Sequence, residues 1–341
     1  SGGENLGLGG DGKFEVVIVD EDSKLNINVA ARGDIISRLR LSQQLLGLLA
    51  PPQYNPLFEK EDADGQHSDR QTICSAIIDW ADSDEELETC DPGASAPSAG
   101  GVEDNFYQTV GDGYFRKNAG YDSLEELRLV RGIGDNFWAT FVDPKPNDPS
   151  QRTLTVWGQG KVNINTANAQ TLLALVCAGA PLSELCVDPL QMQSFLTFVG
   201  MARALSMGAP LFGSPKDFVA TMKGGGLIGP MLAGLGIKPV QFKSESEMSK
   251  MVTTDSKMFS IYAQGVVKGF RSEARVGIHA VIDFRNATKL SEVVPIGAEP
   301  AASASSSSGP ASSSGDSDAL AAALKAINAN PGGQIVYWRV E

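Results

Sequence analysis

The chain has 341 residues, 42% of them hydrophobic, enough to bury a sizeable core and to form about two domains. Its 41 acidic against 28 basic residues give a formal charge of -13, the wrong sign for a protein whose task is to neutralise a phosphate backbone. No run approaches the ~18 apolar residues of a membrane-spanning helix, and the opening Ser1-Gly2-Gly3-Glu4-Asn5 resembles neither a signal peptide nor an anchor, so a soluble, trimmed fragment is expected. The four cysteines fall into two close pairs, Cys74 with Cys90 and Cys177 with Cys186. Such pairing suggests two short-loop disulfides, each contributing roughly 3 kcal/mol, and an oxidising compartment. Four free buried thiols are the alternative.

In chain order, Gly-rich residues 1–13 lead into Phe14-Glu15-Val16-Val17-Ile18-Val19, a β-branched run that reads as a strand and ends at Asp20-Glu21-Asp22. Asp34 then caps a helix with Ile35, Leu39, Leu46 and Leu49 on one face, stopped by Pro51-Pro52. A polar loop holding His67 follows. Ile73, Ile77 and Trp80 mark a second helix, and residues 82–102 form an acidic loop rich in Gly, Ala, Ser and Pro. Ser123-Leu124-Glu125-Glu126 is a capping box that opens a short helix burying Leu124, Leu127 and Val130. A further helix starts at Asp135 and buries Phe137, Trp138 and Phe141. Helical spacing returns over 168–178 and 189–206, with a short piece over 215–222.

After about residue 256 the pattern becomes β. Val276, Ile278, Ala280, Ile282 and Phe284 alternate with Arg275, Gly277, His279, Val281 and Asp283, and Ile261 to Val267 precedes them as the other arm of a hairpin turning at 268–271. Residues 299–318, mostly Ala, Ser, Gly and Pro, lack the apolar content to order themselves and read as a flexible tract. Ile335 to Val340 is one more strand. The expected architecture is α+β: a sheet domain of 1–32 with 251–341, interrupted by an inserted helical domain of 33–250. An internal echo, Lys24-Leu25-Asn26-Ile27-Asn28-Val29-Ala30 and Lys161-Val162-Asn163-Ile164-Asn165-Thr166-Ala167, precedes a helix in both places, and its Asn side chains are expected to tie the turn.

The interval between Arg70 and Arg116 contains no Lys or Arg yet holds Asp79, Asp82, Asp84, Glu85, Glu86, Glu88, Asp91, Glu103 and Asp104. Unscreened carboxylates repel, and alternating acids such as Asp82-Ser83-Asp84 suit Ca²⁺, which takes six to eight hard oxygen ligands from flexible loops. The full EF-hand pattern is absent, so a calcium site and a solvated acidic loop both stay open on residues alone. Leu127-x-x-Val130-Arg131-Gly132-Ile133-Gly134 looks like a helix-hairpin-helix core, but Asp135 follows where phosphate binding favours a basic or neutral residue. Gly7-x-x-x-x-Gly12-Lys13 precedes its strand and has Phe14 in place of Ser/Thr, so it is a chance P-loop match. Gly224-Gly225-Gly226 lacks the strand a dinucleotide site needs. His67 and His279 have no Ser or Cys that the sequence places beside them, and the cysteines lack zinc spacing, so no catalytic residue is assigned.

Five segments, Phe14 to Ala30, Ile77-Ile78-Asp79-Trp80-Ala81-Asp82-Ser83-Asp84, Gly101 to Tyr107, Leu124 to Gly132 and Lys161 to Ala167, occur in the order seen in the general secretion pathway protein K family, the large minor pseudopilins of the type II secretion system (GspK). The chain resembles that family over nearly its whole length. The resemblance implies a pilin-like α/β domain with a large helical insertion, no enzymatic activity, and a place at the tip of the periplasmic pseudopilus with the I and J minor pseudopilins. There it would prime or cap the filament for export, with secreted substrates as further contacts. It also implies calcium in the helical domain, with Asp82, Asp84, Glu103 and Asp104 as first ligand candidates and Asp79 and Asp91 as further ones. The family's N-terminal hydrophobic helix is missing here, so inner-membrane anchoring with this portion in the periplasm is the expected topology. The rival reading is a helix-hairpin-helix DNA-binding protein for DNA uptake. A hydrolase using paired carboxylates stands third, without an identifiable acid/base pair.

Overall fold

The computed structural model describes residues 2–4, 12–61, 67–84, 86–91, 105–109, 113–146, 148–268, 272–287 and 333–340. The strands are β1 (Gly2–Glu4), β2 (Gly12–Asp20), β3 (Leu25–Asn26), β4 (Leu154–Thr155), β5 (Val162–Asn163), β6 (Val252–Thr253), β7 (Met258–Lys268), β8 (Glu273–Asp283) and β9 (Gln334–Val340). The α-helices are α1 (Ile35–Leu49), α2 (Asn55–Phe58), α3 (Arg70–Asp79), α4 (Asn105–Thr109), α5 (Asp135–Phe137), α6 (Ala169–Gly179), α7 (Glu184–Val187), α8 (Pro189–Ser206), α9 (Pro215–Met222), α10 (Gly229–Gly234) and α11 (Glu245–Met251). Two compact units result, one of Ser1–Ile18 with Lys257–Glu341 and one of Val19–Ser256.

The first unit carries a five-stranded sheet in the order β1-β2-β7-β8-β9, with antiparallel ladders between β1 and β2, β7 and β8, and β8 and β9. Register and the two-residue period assign its faces. Phe259, Ile261 and Ala263 of β7 lie opposite Ile282, Ala280 and Ile278 of β8, which pair in turn with Ile335, Trp338 and Val340 of β9. Ile335 and Trp338 are three residues apart and would point to opposite faces of a regular strand. An irregularity beside Val281 and Ile282, where the register skips Val336, brings both to the same side. That face is therefore continuously apolar, yet Ile335 (56% exposed), Trp338 (56%) and Val340 (60%) lie open. The other face carries Ser260, Tyr262 and His279, the imidazole stacked on Tyr262 with centroids 4.2 Å apart.

The helical unit has one core, to which α1, α3, α6, α8, α9 and α11 all contribute. Asp34 caps α1 through Ser37 N (2.7 Å), as the sequence predicts, but the buried face is Leu41, Leu45, Leu48 and Leu49, while Ile35 and Leu39 are exposed. The difference arises because α6 crosses the last turns of α1 and leaves the first turn outside the core. At that crossing a Cβ on Gly47 would stand 2.2 Å from Ala174 O, so only glycine fits. The predicted capping box at Ser123 is present, although it opens a 3₁₀ turn over Leu124–Leu129, and the helix begun at Asp135 widens to a π turn over Trp138–Val142. Joints between the units fall at 18/19 and 256/257, against 32/33 and 250/251 expected. Residues 19–32 belong with the helices because Leu25, Ile27, Val29 and Ala30 are buried in the helical core. The turn at 269–271 and the tract at 299–318 lie outside the described residues.

The two echoed heptapeptides fold alike. Each begins with a two-residue strand in a parallel pair, β3 with β4 and β5 with β6. The first Asn accepts from the backbone of the second, Asn26 Oδ1 from Asn28 N (2.9 Å) and Asn163 Oδ1 from Asn165 N (3.0 Å). The second Asn then acts as a peptide mimic toward a distant residue. Asn28 accepts from Tyr121 N (2.6 Å) and donates to Tyr121 O (2.8 Å), and Asn165 does the same to Phe212 (2.9 and 3.0 Å). Replacing either with Ala leaves a backbone N–H and a C=O unpaired, at about 1–3 kcal/mol for each group. Asn28→Ala and Asn165→Ala should therefore lower urea midpoints by similar amounts, whereas equal stability to wild type in either variant would show that clamp to be dispensable.

Candidate functional site

The acidic segment is built on the end of α3. Asp69 caps that helix through Thr72 N (2.8 Å), and Ile73, Ile77 and Ile78 face the core. Asp79 and Asp82 leave its last turn almost fully buried. Trp80 anchors the turn, edge-on to Tyr107 at 5.6 Å and to Tyr114 at 6.2 Å. The returning segment is tied to the helix by the Cys74–Cys90 disulfide, and a second disulfide, Cys177–Cys186, joins α6 to α7. No cysteine is free.

Two arginines from outside the acidic stretch enter the cluster. Arg38 of α1 contacts Asp82 Oδ2 at 3.0 Å and Asp84 Oδ2 at 2.6 Å. Arg116 donates to Asp79 O (3.2 Å) and Asp84 O (2.6 Å) and stands 3.8 Å from Asp82 Oδ1. That Asp82 oxygen is buried and accepts no hydrogen bond. Asp79 Oδ1 accepts from Glu88 N at 2.9 Å. Burial pushes the Asp79 carboxyl up to about 8, with the nearby Asp82 and Glu88 adding to the rise. Burial raises Asp82 and Glu88 as well, against the pull of Arg38 on both. Four described carboxyls, Asp79, Asp82, Asp84 and Glu88, thus face two guanidinium groups.

Asp91 lines a cavity of about 370 Å³ together with Asp69, Asp79, Glu88, Tyr107 and Arg131. Glu103 and Asp104 lie outside the described residues. Among the described residues, no three His, Cys, Asp or Glu side chains converge so as to hold a metal ion. Carboxyl oxygens are the donors a hard divalent cation takes, and Asp82 Oδ1 is buried without a hydrogen bond, Arg116 standing 3.8 Å away. Arg38 and Arg116 are the participants that sequence reasoning missed. Only the lack of a cation within the acidic stretch hinted that one must arrive from elsewhere.

The helix-hairpin-helix-like segment packs against α3. Gly132 has φ +78°, and a Cβ there would meet Ile73 Cγ1 at 2.6 Å, so the glycine serves close packing. Asp135 pairs with Arg128 at 2.8 Å, and Arg128 also covers the Trp138 ring at 4.2 Å. His67 approaches Glu61 at 3.9 Å on the surface. His279 corrects one expectation, because its Nε2 lies 3.3 Å from Ser260 Oγ. Ser260 is fully buried in the sheet, so this pair presents no nucleophile to a substrate.

No family model matches the chain, and no curated protein matches it. Among solved structures it is similar to a chain of the GspK–GspI–GspJ complex from the type 2 secretion system of enterotoxigenic Escherichia coli. Identity is 18%, the match covers 80% of this chain and 75% of that chain, and the TM-score is 0.49. No described helix is long and apolar enough to cross a membrane.

The cluster has a measurable pH signature. Asp79 titrates near its ordinary 3.8 when unfolded and at about 8 when folded, so the folded state holds the extra proton between those values. Stability measured in chelator should fall as pH rises across that window and level off above it, the sign required when the native state binds more protons. Asp79→Asn should flatten the profile, and a slope unchanged in that variant would reject the assignment. Arg38→Ala, which removes the nearer of the two guanidinium partners of the buried Asp82 carboxylate, should cost up to about 3–5 kcal/mol at neutral pH.

Proposed function

We propose that the chain is a non-enzymatic structural subunit, a K-type minor pseudopilin that assembles with I- and J-type minor pseudopilins at the tip of the type II secretion pseudopilus. The observation that carries this reading is a small antiparallel sheet with one open apolar face, interrupted in sequence by a helical unit larger than itself. A face bearing an exposed Trp338 between Ile335 and Val340 is suited to receive a helix, as the sheet of a pilin does. The five sequence segments in family order support the same assignment. A helical insertion of this size adds bulk that favours an end position over the interior of a helical filament. Two disulfides accord with a periplasmic setting. Anchoring in the inner membrane would fall to a hydrophobic helix preceding this portion.

Calcium is part of the proposal. Asp82 and Asp84 would share it with Glu103 and Asp104, with Asp79 and Asp91 as outer candidates, and the ion would supply the positive charge that Arg38 and Arg116 leave short. Binding would stabilise the native state by mass action.

Titration calorimetry of Ca²⁺ into chelator-treated protein should give binding that Asp82→Ala and Glu103→Ala abolish, together with a calcium-dependent rise in Tm. Heat at the level of dilution would reduce the cluster to an arginine-balanced surface. Independently, size-exclusion chromatography with light scattering should show one copy of this chain joining an I–J pair. Trp338→Glu should weaken any assembly that uses the open sheet face. Failure to associate with I and J at micromolar concentrations, with or without Ca²⁺, would sink the pseudopilin reading.

A further inference from the structure

The helical unit is continuous in sequence, so its first and last residues must both lie where the chain joins the sheet strands. Those two ends, residues 19–22 and 253–256, are bonded to each other. Asp20 is the hub. Its Oδ1 accepts from Asp22 N at 2.9 Å, which caps the following 3₁₀ turn. Its Oδ2 accepts from Thr166 Oγ1 at 2.5 Å and from Ser256 Oγ. Ser256 Oγ in turn accepts from Asn163 Nδ2 at 2.7 Å. Gln159 closes a second circuit, donating from N to Asp22 Oδ1 (2.9 Å) and from Nε2 to both Asp22 Oδ2 and Asp255 O (3.3 Å each). Ile164 N reaches Thr253 O at 3.0 Å, extending the parallel pair of β5 and β6. Apart from the Asp20–Asp22 cap, these bonds run between the outgoing end, the returning end and the 159–166 segment.

We infer that Asp20, Thr166 and Ser256 form a latch that holds the two ends of the helical unit together, and that this latch opens as a local unit without unfolding the helical core. The core helices are secured elsewhere, by the burial of Leu45, Leu48, Leu172 and Val176 and by the close crossing at Gly47. The latch has no comparable apolar burial, since Thr166 is exposed and Asp20 and Ser256 are only half-buried. Glu21, Asp22 and Asn163 behind these three residues are buried, but they are polar, and polar bonds that solvent can reach open at lower free energy than a packed apolar core. Asp20 is the natural control point because one carboxylate oxygen receives both hydroxyls.

Hydrogen exchange on the full chain tests this inference. Asp20→Ala should raise exchange of the 20–24 and 253–257 amides about tenfold or more, while amides of 171–177 and 45–49 keep wild-type protection. Ser256→Ala, a change of one hydroxyl, should produce the same pattern more weakly, and the double variant should add little to Asp20→Ala because both act through one bond. Three results would overturn the latch: unchanged exchange at both ends in Asp20→Ala, loss of protection spread evenly through the helical core in Ser256→Ala, or fully additive effects in the double variant.

Discussion

A domain inserted between two strands of a sheet must bring its own ends together, and the helical unit is organised around that constraint. The means is polar and local. Short parallel strand pairs, β3 with β4 and β5 with β6, fix the chain where it enters and leaves the helices. Asparagines then replace the backbone partners that two-residue strands cannot supply. A buried backbone group without a partner costs about as much as a lost hydrogen bond, so short pairs are tolerated only where side chains finish the accounting. The buried Lys24–Glu21 pair at 2.9 Å, with Thr155 Oγ1 donating to the same carboxylate, belongs to the same polar layer. Burial lowers the Lys24 ammonium, and its partner Glu21 opposes that shift.

The sheet meets a different requirement. Its ladders satisfy the backbone, but one of its faces is more apolar than a solvent-facing sheet normally is. The irregularity at Val336 is informative here, because it costs a regular ladder and gains the alignment of Ile335 with Trp338 on that face. An apolar surface produced by a deliberate break in register is a surface with a use. On this physical ground the open face, more than any polar cluster, argues for a protein that works by contact.

Much of this organisation is legible in the sequence, because its elements are set locally. The alternation in β8 and the caps at Asp34 and Ser123 are short-range signals, and each falls where the structure places an element. Close Cys spacing gave the disulfide pairs, since the loops were too short to favour other partners. Less legible was anything decided by tertiary packing. The α1 face was misassigned at Ile35 and Leu39 because the helix outruns the core that covers it. Arg38 was invisible as a partner of Asp82 because forty-four residues separate them and no periodicity links a helix side chain to a distant turn. The Asn repeat was seen as a turn, but its clamp on Tyr121 and Phe212 depends on residues with no pattern of their own.

The acidic cluster shows how far charge balance alone can carry the argument. Among the described carboxyls Asp79 and Asp82 are buried, while Asp84 and Glu88 are reached by solvent, and Arg38 and Arg116 supply the nearest positive charge. Asp79, the most strongly shifted of the described carboxyls, holds a proton as well. That proton leaves as pH rises toward about 8, and Asp82 Oδ1 has the Arg116 guanidinium at 3.8 Å but no hydrogen bond. A divalent cation bound as proposed would add positive charge beside Asp82 Oδ1. It would also convert Asp79 from a neutral acid to a carboxylate, so proton release and cation uptake must be coupled. The disulfide at Cys90 limits how far the loop can retreat from this repulsion. The same bond that stabilises the segment therefore holds the Glu88 backbone beside the Asp79 carboxyl.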